Sequence, residues 1–260
     1  FVIMFFNQKT EGVLFGYIIS ASIILIIAEY KYKTIINFKG NYVKNYNYKL
    51  QKSIINYASP ISKWSLFIWL HLSVDIWIVN MYLGENVLAG YYLASRLATF
   101  PIIILSTILT SYFIPIAYEK VKEKTNFKKS FLIIHLCISI YLFGIFSLEI
   151  LYLYFHQDII ILMSNENYSE SSYLIPILTL VWGLFYLGQL ITCYGYILCK
   201  PEIYIMPKIT SSILAVICIF YFTSHFGVIG PLIGLTIAGI NYCLMSIFVT
   251  FRAHKSIAIN

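Results

Sequence analysis

His71 and Asp75 stand four residues apart inside an apolar run that extends from Ile61 to Leu83. On a helix that spacing puts both on one face. An ionisable group within an apolar span is costly unless it meets a cavity or a partner, so the pair is a candidate for holding and releasing a proton. The competing use is a polar contact that fastens one helix to the next. Glu149, about two-thirds along the run from Phe131 to Phe155, is a further candidate for proton coupling. Arg96 lies five residues into the run that starts at Tyr91. Its guanidinium offers a planar fork for phosphate or carboxylate oxygens, or it snorkels to headgroups or pairs with Glu85 or Asp75. Lys63 and Lys208, at helix ends, could bind the same anion, and Gln189 and Asn241 could bind ligand hydroxyls. Charge retention at the membrane surface and helix–helix hydrogen bonding are the more frequent uses of such residues.

These side chains need elements to hold them, and composition says what kind. The chain has 260 residues, 60% apolar and 11% charged, against about a quarter charged in soluble domains. It is therefore expected to be an all-α polytopic membrane protein. Seven segments approach the roughly 20 apolar residues that a crossing needs: 12–30, 61–83, 91–118, 131–155, 173–198, 203–226 and 228–251. Lys31 to Lys63, Lys120 to Lys129, Lys200 with Lys208, and Arg252 with Lys255 occupy every second gap. The alternate gaps hold Lys9 with Glu11, then Glu85, then Asp158, Glu166 and Glu170, and finally no charge near Gly227. Lys and Arg are retained in cytoplasmic loops, so the lysine-rich gaps and the C-terminus are expected inside. The net charge of +7 flanks apolar spans and forms no basic polar face, which argues against nucleic acid as a partner.

Residues 31–59 form a long polar stretch rich in Lys, Asn and Tyr, read as a basic cytoplasmic connector that attracts anionic headgroups. It separates residues 1–30 from the bundle at 60–255. The run Phe1 to Phe6 reads as the tail of an apolar helix, so the chain is expected to be a fragment. Ile159 to Met163, followed by a polar quartet, suggests a short separate helix in the outer interface. Pro101, Pro115, Pro176, Pro207 and Pro231 suggest kinked spans. Cys137, Cys193, Cys199, Cys218 and Cys243 lack metal-ligand spacing and are read as packing residues, so neither a metal nor a cofactor is expected.

Two longer stretches carry a resemblance. Ser62-Lys63-Trp64 through Asp75 to Asn80, then Leu83-Gly84-Glu85-Asn86-Val87-Leu88-Ala89-Gly90-Tyr91-Tyr92-Leu93-Ala94-Ser95-Arg96-Leu97, resembles the seventh and eighth spans of polysaccharide flippases. Ile159 to Tyr173 resembles their outer elbow, and Phe226 to Gly234 the Gly-rich turn before their last span. The position after Asp75, basic in many members, is Ile76 here. The family belongs to the multidrug, oligosaccharidyl-lipid and polysaccharide exporter superfamily, with two six-helix lobes around a central cavity. The resemblance covers about residues 12–253. It implies that residues 1–30 end the N-terminal lobe and that 60–255 form the C-terminal six-helix lobe.

The resemblance further implies a non-enzymatic transporter in a bacterial cytoplasmic membrane. Its expected substrate is an undecaprenyl-diphosphate-linked oligosaccharide for O-antigen or capsule, moved by alternating access. Arg96, Lys63 and Lys208 would then meet the diphosphate, Gln189 and Asn241 the sugar, and His71, Asp75 and Glu149 the coupling proton. Trp64, Trp69, Trp77 and Trp182 could stack on sugars or pack against lipid. Membrane lipids and a polysaccharide polymerase of the same pathway are the expected partners. The alternatives are a multidrug or cation antiporter of the same superfamily, and a membrane-embedded polymerase or glycosyltransferase. The latter class usually carries a large outer loop or paired carboxylates, and no nucleotide-binding Gly loop appears.

Overall fold

The computed structural model describes residues 10–38, 47–122, 127–198 and 200–258. Among these helices are the only regular secondary structure. The helices are α1 (Thr10–Phe38), α2 (Asn47–Lys122), α3 (Phe127–Met163), α4 (Leu174–Ile191), α5 (Cys193–Ile197), α6 (Ile205–Phe226) and α7 (Ile229–Ala258), with 3₁₀ turns at Glu166–Ser171 and Pro201–Tyr204. The run Phe1 to Phe6, together with Lys39, Lys44 and Lys124, lies outside the described residues. Among the described residues five helices are long and apolar enough to cross a membrane: Ser65–Val121, Lys129–Met163, Leu174–Ile197, Pro201–Phe226 and Ile229–His254. The chain is thus an all-α, membrane-embedded protein.

The chain divides at Asn56/Tyr57 into two units. In the first, α1 exposes apolar side chains on all sides, Ile18, Ile24, Leu25 and Ile26 among them. The polar stretch 31–59, expected as a connector, is helical over both of its described parts, up to Phe38 and from Asn47 onward.

The second unit contains the bundle. A 57-residue helix would be roughly 85 Å long, nearly three times the hydrocarbon core. Gly84 solves this. Its φ of 80° and ψ of 174° belong to a region that is essentially glycine-only, and they break α2 into limbs 47–83 and 85–122. The Tyr91 hydroxyl reaches the Asp75 carboxylate at 2.8 Å. In a straight helix, residues 16 apart would be about 24 Å apart, so the limbs fold back on each other as a hairpin.

Long-range hydrogen bonds give the packing order. Tyr152 Oη donates to the Leu97 carbonyl at 2.7 Å and Ser130 Oγ to that of Ala117 at 3.0 Å, which sets α3 antiparallel to the second limb. Tyr141 Oη donates to the Gly183 carbonyl at 2.9 Å, joining α3 to α4. Ser211 Oγ to the Ala238 carbonyl ties α6 to α7, and Ser212 Oγ to the Phe67 carbonyl ties α6 to the first limb. Such hydroxyl-to-carbonyl bonds suit a membrane bundle, where lipid supplies no hydrophobic drive between helices. Gly227 at φ 58° ends α6, and a Cβ on Gly230 would collide with the backbone of Phe222 and Thr223, so the Gly-rich turn lets α7 start against the end of α6.

One expectation changes. The chain does not leave α3 at Phe155 to form a separate interface helix, because helix is continuous through Met163 and only Glu166–Ser171 makes a short 3₁₀ turn. The run 173–198 is one candidate crossing, Leu174–Ile197, with a turn at Thr192 between α4 and α5. The Leu174–Ile197 span is 67% buried, against 22% to 44% for the other four candidate crossings. Apolar on every side, α4 sits in the middle of the bundle.

Candidate functional site

The first limb of α2 carries His71 and Asp75, both fully enclosed, into the face that meets the second limb and α4. The spacing does put them on one side of the helix. It does not make them a hydrogen-bonded pair. Asp75 Oδ2 accepts the Tyr91 hydroxyl proton across the hairpin, while Oδ1 is buried with no hydrogen-bond partner among the described residues. The His71 ring stacks on Phe185 at a centroid distance of 4.3 Å and an interplanar angle of 17°, with Trp182 edge-on at 6.3 Å. Neither ring nitrogen has a hydrogen-bond partner in the described part of the chain.

Lys208 corrects the expectation more strongly. On the sequence it is a helix-end cation at the membrane surface; in the structure it is 0% exposed. The first turn of α6 points it inward, and its Nζ lies 3.7 Å from the centroid of the Tyr242 ring and 4.6 Å from that of Phe185. Phe185 is therefore flanked by an imidazole and an ammonium. Cation–π contacts at desolvated sites are worth about 2 kcal/mol, which offsets part of the cost of burying the charge. The close approach of α7 depends on Gly188, whose Cβ position is taken by the Tyr242 ring. Tyr242 Oη donates to Gln189 Oε1 at 3.3 Å. The result is a continuous polar and aromatic row, Tyr91–Asp75 beside His71–Phe185–Lys208–Tyr242–Gln189, drawn from both limbs of α2 and from α4, α6 and α7.

The other candidates lie apart from that row or at its edge. Arg96 is exposed, with its guanidinium carbon 4.7 Å above the Tyr92 ring, and within electrostatic reach of Asp75 and Tyr186. Asn241 Nδ2 donates to Thr210 Oγ1 at 3.4 Å, a bond between α7 and α6. Gln189 and Asn241 thus both serve as helix–helix contacts here. Glu149 on α3 is half-buried, and its Oε2 is shielded with no hydrogen-bond partner among the described residues. The side chains of Lys63 and Trp64 lie outside the described residues. Trp69 and Trp77 are exposed and meet each other edge to face at 5.2 Å, whereas Trp182 is buried against His71 and Phe185.

Tyr91, Phe185 and Tyr242 are the members that residue-by-residue reading missed. Tyr91 had a signal, as it stands in the segment that carries the family resemblance. Phe185 and Tyr242 had none, because one Phe or Tyr looks like another in a chain with 18% aromatic residues. Cys137, Cys193, Cys218 and Cys243 are free thiols, and Cys199 is outside the described residues. Among the described residues no cluster of His, Cys, Asp and Glu has the makings of a metal site.

No protein-family model, curated protein or solved structure matches the chain.

Proposed function

We propose that the chain is the C-terminal part of a two-lobed flippase that moves an undecaprenyl-diphosphate-linked oligosaccharide across a bacterial cytoplasmic membrane for O-antigen or capsule assembly. The observation that carries this reading is the polar row at Asp75, His71 and Lys208, buried within a bundle whose surroundings are apolar. Intramembrane ionisable residues that face the bundle interior are costly to place there and are functional candidates for transport pathways and proton relays by default. The Gly84 hairpin and the Gly-rich α6–α7 turn also stand where the resemblance requires turns between spans.

On this reading α1 is the last span of the N-terminal lobe and residues 31–59 are the basic connector. The two limbs of α2, then α3, α4 with α5, α6 and α7 are the six spans of the second lobe, bringing the total to seven. The lysine-rich ends and the C-terminus face the cytoplasm. Arg96, exposed beside Tyr92, meets the diphosphate. Lys208 is closed off inside the lobe and meets substrate only after the lobe opens, as alternating access allows. His71 and Asp75 respond to the coupling proton.

The test is reconstitution of the native gene product in proteoliposomes with a fluorescent undecaprenyl-diphosphate oligosaccharide in one leaflet. Accelerated equilibration between leaflets that depends on an imposed pH difference is expected. Export of small organic cations with no lipid movement would replace this proposal with the multidrug antiporter. Elongation of the glycan would replace it with a polymerase.

A further inference from the structure

Four polar atoms at the Asp75 end of the row share one feature. Asp75 Oδ1, both ring nitrogens of His71 and the Trp182 indole Nε1 have no hydrogen-bond partner among the described residues. Their side chains are 0%, 1% and 3% exposed, so they are closed off from the surface. A buried polar group without a partner loses its hydration and recovers nothing, and native proteins leave few of them. Four on three neighbouring side chains point to a ligand that bonds them.

The fold brings these side chains into one layer. His71 and Asp75 stand one turn apart on one face of the first limb of α2, and Trp182 meets the His71 ring edge-on at 6.3 Å. Hydrogen bonds pair His135 with Tyr194, Tyr141 with Gly183 and His156 with Ser172, so the chain from Ser172 through α4 runs antiparallel to α3. Because α3 opposes the second limb and the second limb opposes the first, α4 is antiparallel to the first limb as well. Phe185 stacks on His71, and Trp182, three residues before it, is displaced toward the Gly84 end by about 4.5 Å. Asp75 is displaced from His71 in the same direction, by about 6 Å for four residues. Indole, imidazole and carboxylate therefore lie at one level of the bundle.

Their chemistry selects the ligand. The indole only donates, an ionised carboxylate only accepts, and a neutral imidazole does one of each. A cation has nothing to gain from the indole N–H, and an anion is repelled by the carboxylate. Enclosure by the core residues Val74, Ile78, Leu178 and Phe185 excludes a sugar or another large polar molecule. Water both donates and accepts, is the smallest molecule that does, and in buried sites makes about three hydrogen bonds to groups of this kind.

We propose that the layer formed by Asp75, His71 and Trp182 is a binding site for internal water, bonded to Asp75 Oδ1, to the indole N–H and to a His71 ring nitrogen. The water connects Asp75 to His71, which share a helix face without bonding each other. The site stands whether or not the chain moves a lipid-linked glycan.

The experiment uses the full chain, isotopically labelled at its tryptophan and histidine nitrogens and reconstituted in bilayers without substrate or gradient. Solid-state NMR reads the polarisation that passes from water protons to the ring nitrogens. Trp182→Phe and His71→Phe assign the two signals by their disappearance, and each keeps a ring in the stack. Transfer from water is expected at both residues despite their burial. Asp75→Leu removes the shared acceptor and should lower transfer to Trp182 several-fold. Should that variant not fold, Trp182→Phe gives the converse readout, a several-fold loss at His71. Clear signals from both residues with no transfer from water would overturn the proposal. Transfer unchanged in these variants would mean that the groups are hydrated separately, which sinks the shared site. A direct coupling between the indole proton and Asp75 would replace the water by a side-chain hydrogen bond. Water found at the site of a protein that moves no lipid would support this inference and remove the flippase reading alone.

Discussion

His71 and His135 are both histidines on apolar helices, and the structure treats them in opposite ways. His71 is 1% exposed, stacked on Phe185 with Trp182 edge-on and neither nitrogen bonded to a described residue. His135 is exposed, and its Nδ1 lies 2.8 Å from the Phe131 carbonyl and 2.7 Å from the Tyr194 hydroxyl. The difference is position along the span and orientation around it. His71 is 13 residues before the Gly84 turn, about 20 Å along the helix, and faces the central helix α4. His135 is near the basic end of α3 and faces outward. An inward ionisable group at mid-span has to be served within the bundle, whereas an outward one near the surface can be served by lipid headgroups and water. The polar row is thus suited to events inside the bundle, and His135 to contact with the surface.

The largest effect that would break this comparison is expected at Asp75. Asp75→Asn should abolish the dependence of transport on the pH gradient in proteoliposomes, because the amide cannot exchange the proton. Full gradient dependence in that variant would make the row interhelical glue and leave Glu149 or the rest of the protein to couple.

Arg96 comes next, as an exposed cation whose loss does not leave a hole in the bundle. Arg96→Ala is expected to slow lipid flipping roughly ten- to a hundredfold, the worth of a hydrogen bond to a charged group, at unchanged protein level. Arg96→Lys should recover part of it, since the ammonium lacks the planar fork. Unimpaired surface-glycan export by the Ala variant would return Arg96 to the headgroup region.

Tyr91→Phe and Gly84→Ala test how the row is held. Removing the Tyr91 hydroxyl leaves Asp75 Oδ2 without that donor, and a stability loss of about 1–3 kcal/mol is expected, read as a lower melting temperature in detergent. Alanine at Gly84 meets no steric obstacle beyond its own backbone, since nothing lies within 4 Å of the Cβ position, so the cost is the conformational strain alone, about 1–3 kcal/mol. A Gly84→Ala protein as stable as the parent would mean that the hairpin does not rely on that backbone conformation.

The smallest perturbation sharpens the membrane assignment. A single cysteine at position 165 in a cysteine-free background should react with an impermeant maleimide added outside intact cells, and one at position 124 only after permeabilisation. Reaction in the reverse order would invert the proposed topology while leaving the bundle unchanged.

The apolar helices from Ser65 onward were legible because bilayer thickness demands apolar runs of a certain length, and the hairpin was legible at Gly84-Glu85-Asn86 as the gap between two such runs. Lys208 was misjudged, because a lysine at a helix end is charge-retaining or buried depending on which way the first turn of α6 faces, and sequence spacing is silent on that rotation. The same holds for the supposed His71–Asp75 pair: the i, i+4 spacing shows a shared face, yet Tyr91 across the hairpin and Phe185 on α4 take the carboxylate and the ring. By itself the sequence determined a membrane-embedded helical chain, its charge alternation and its turn glycines, all of which follow from local composition and the solvent it must cross. Only the tertiary structure decided that α4 is central, that Lys208 sits in an aromatic enclosure, and that an apolar cleft opens between α3, α4, α5 and α7. Those features depend on how helices rotate and pack against one another, and in so uniformly apolar a chain many rotations satisfy the same hydrophobic pattern.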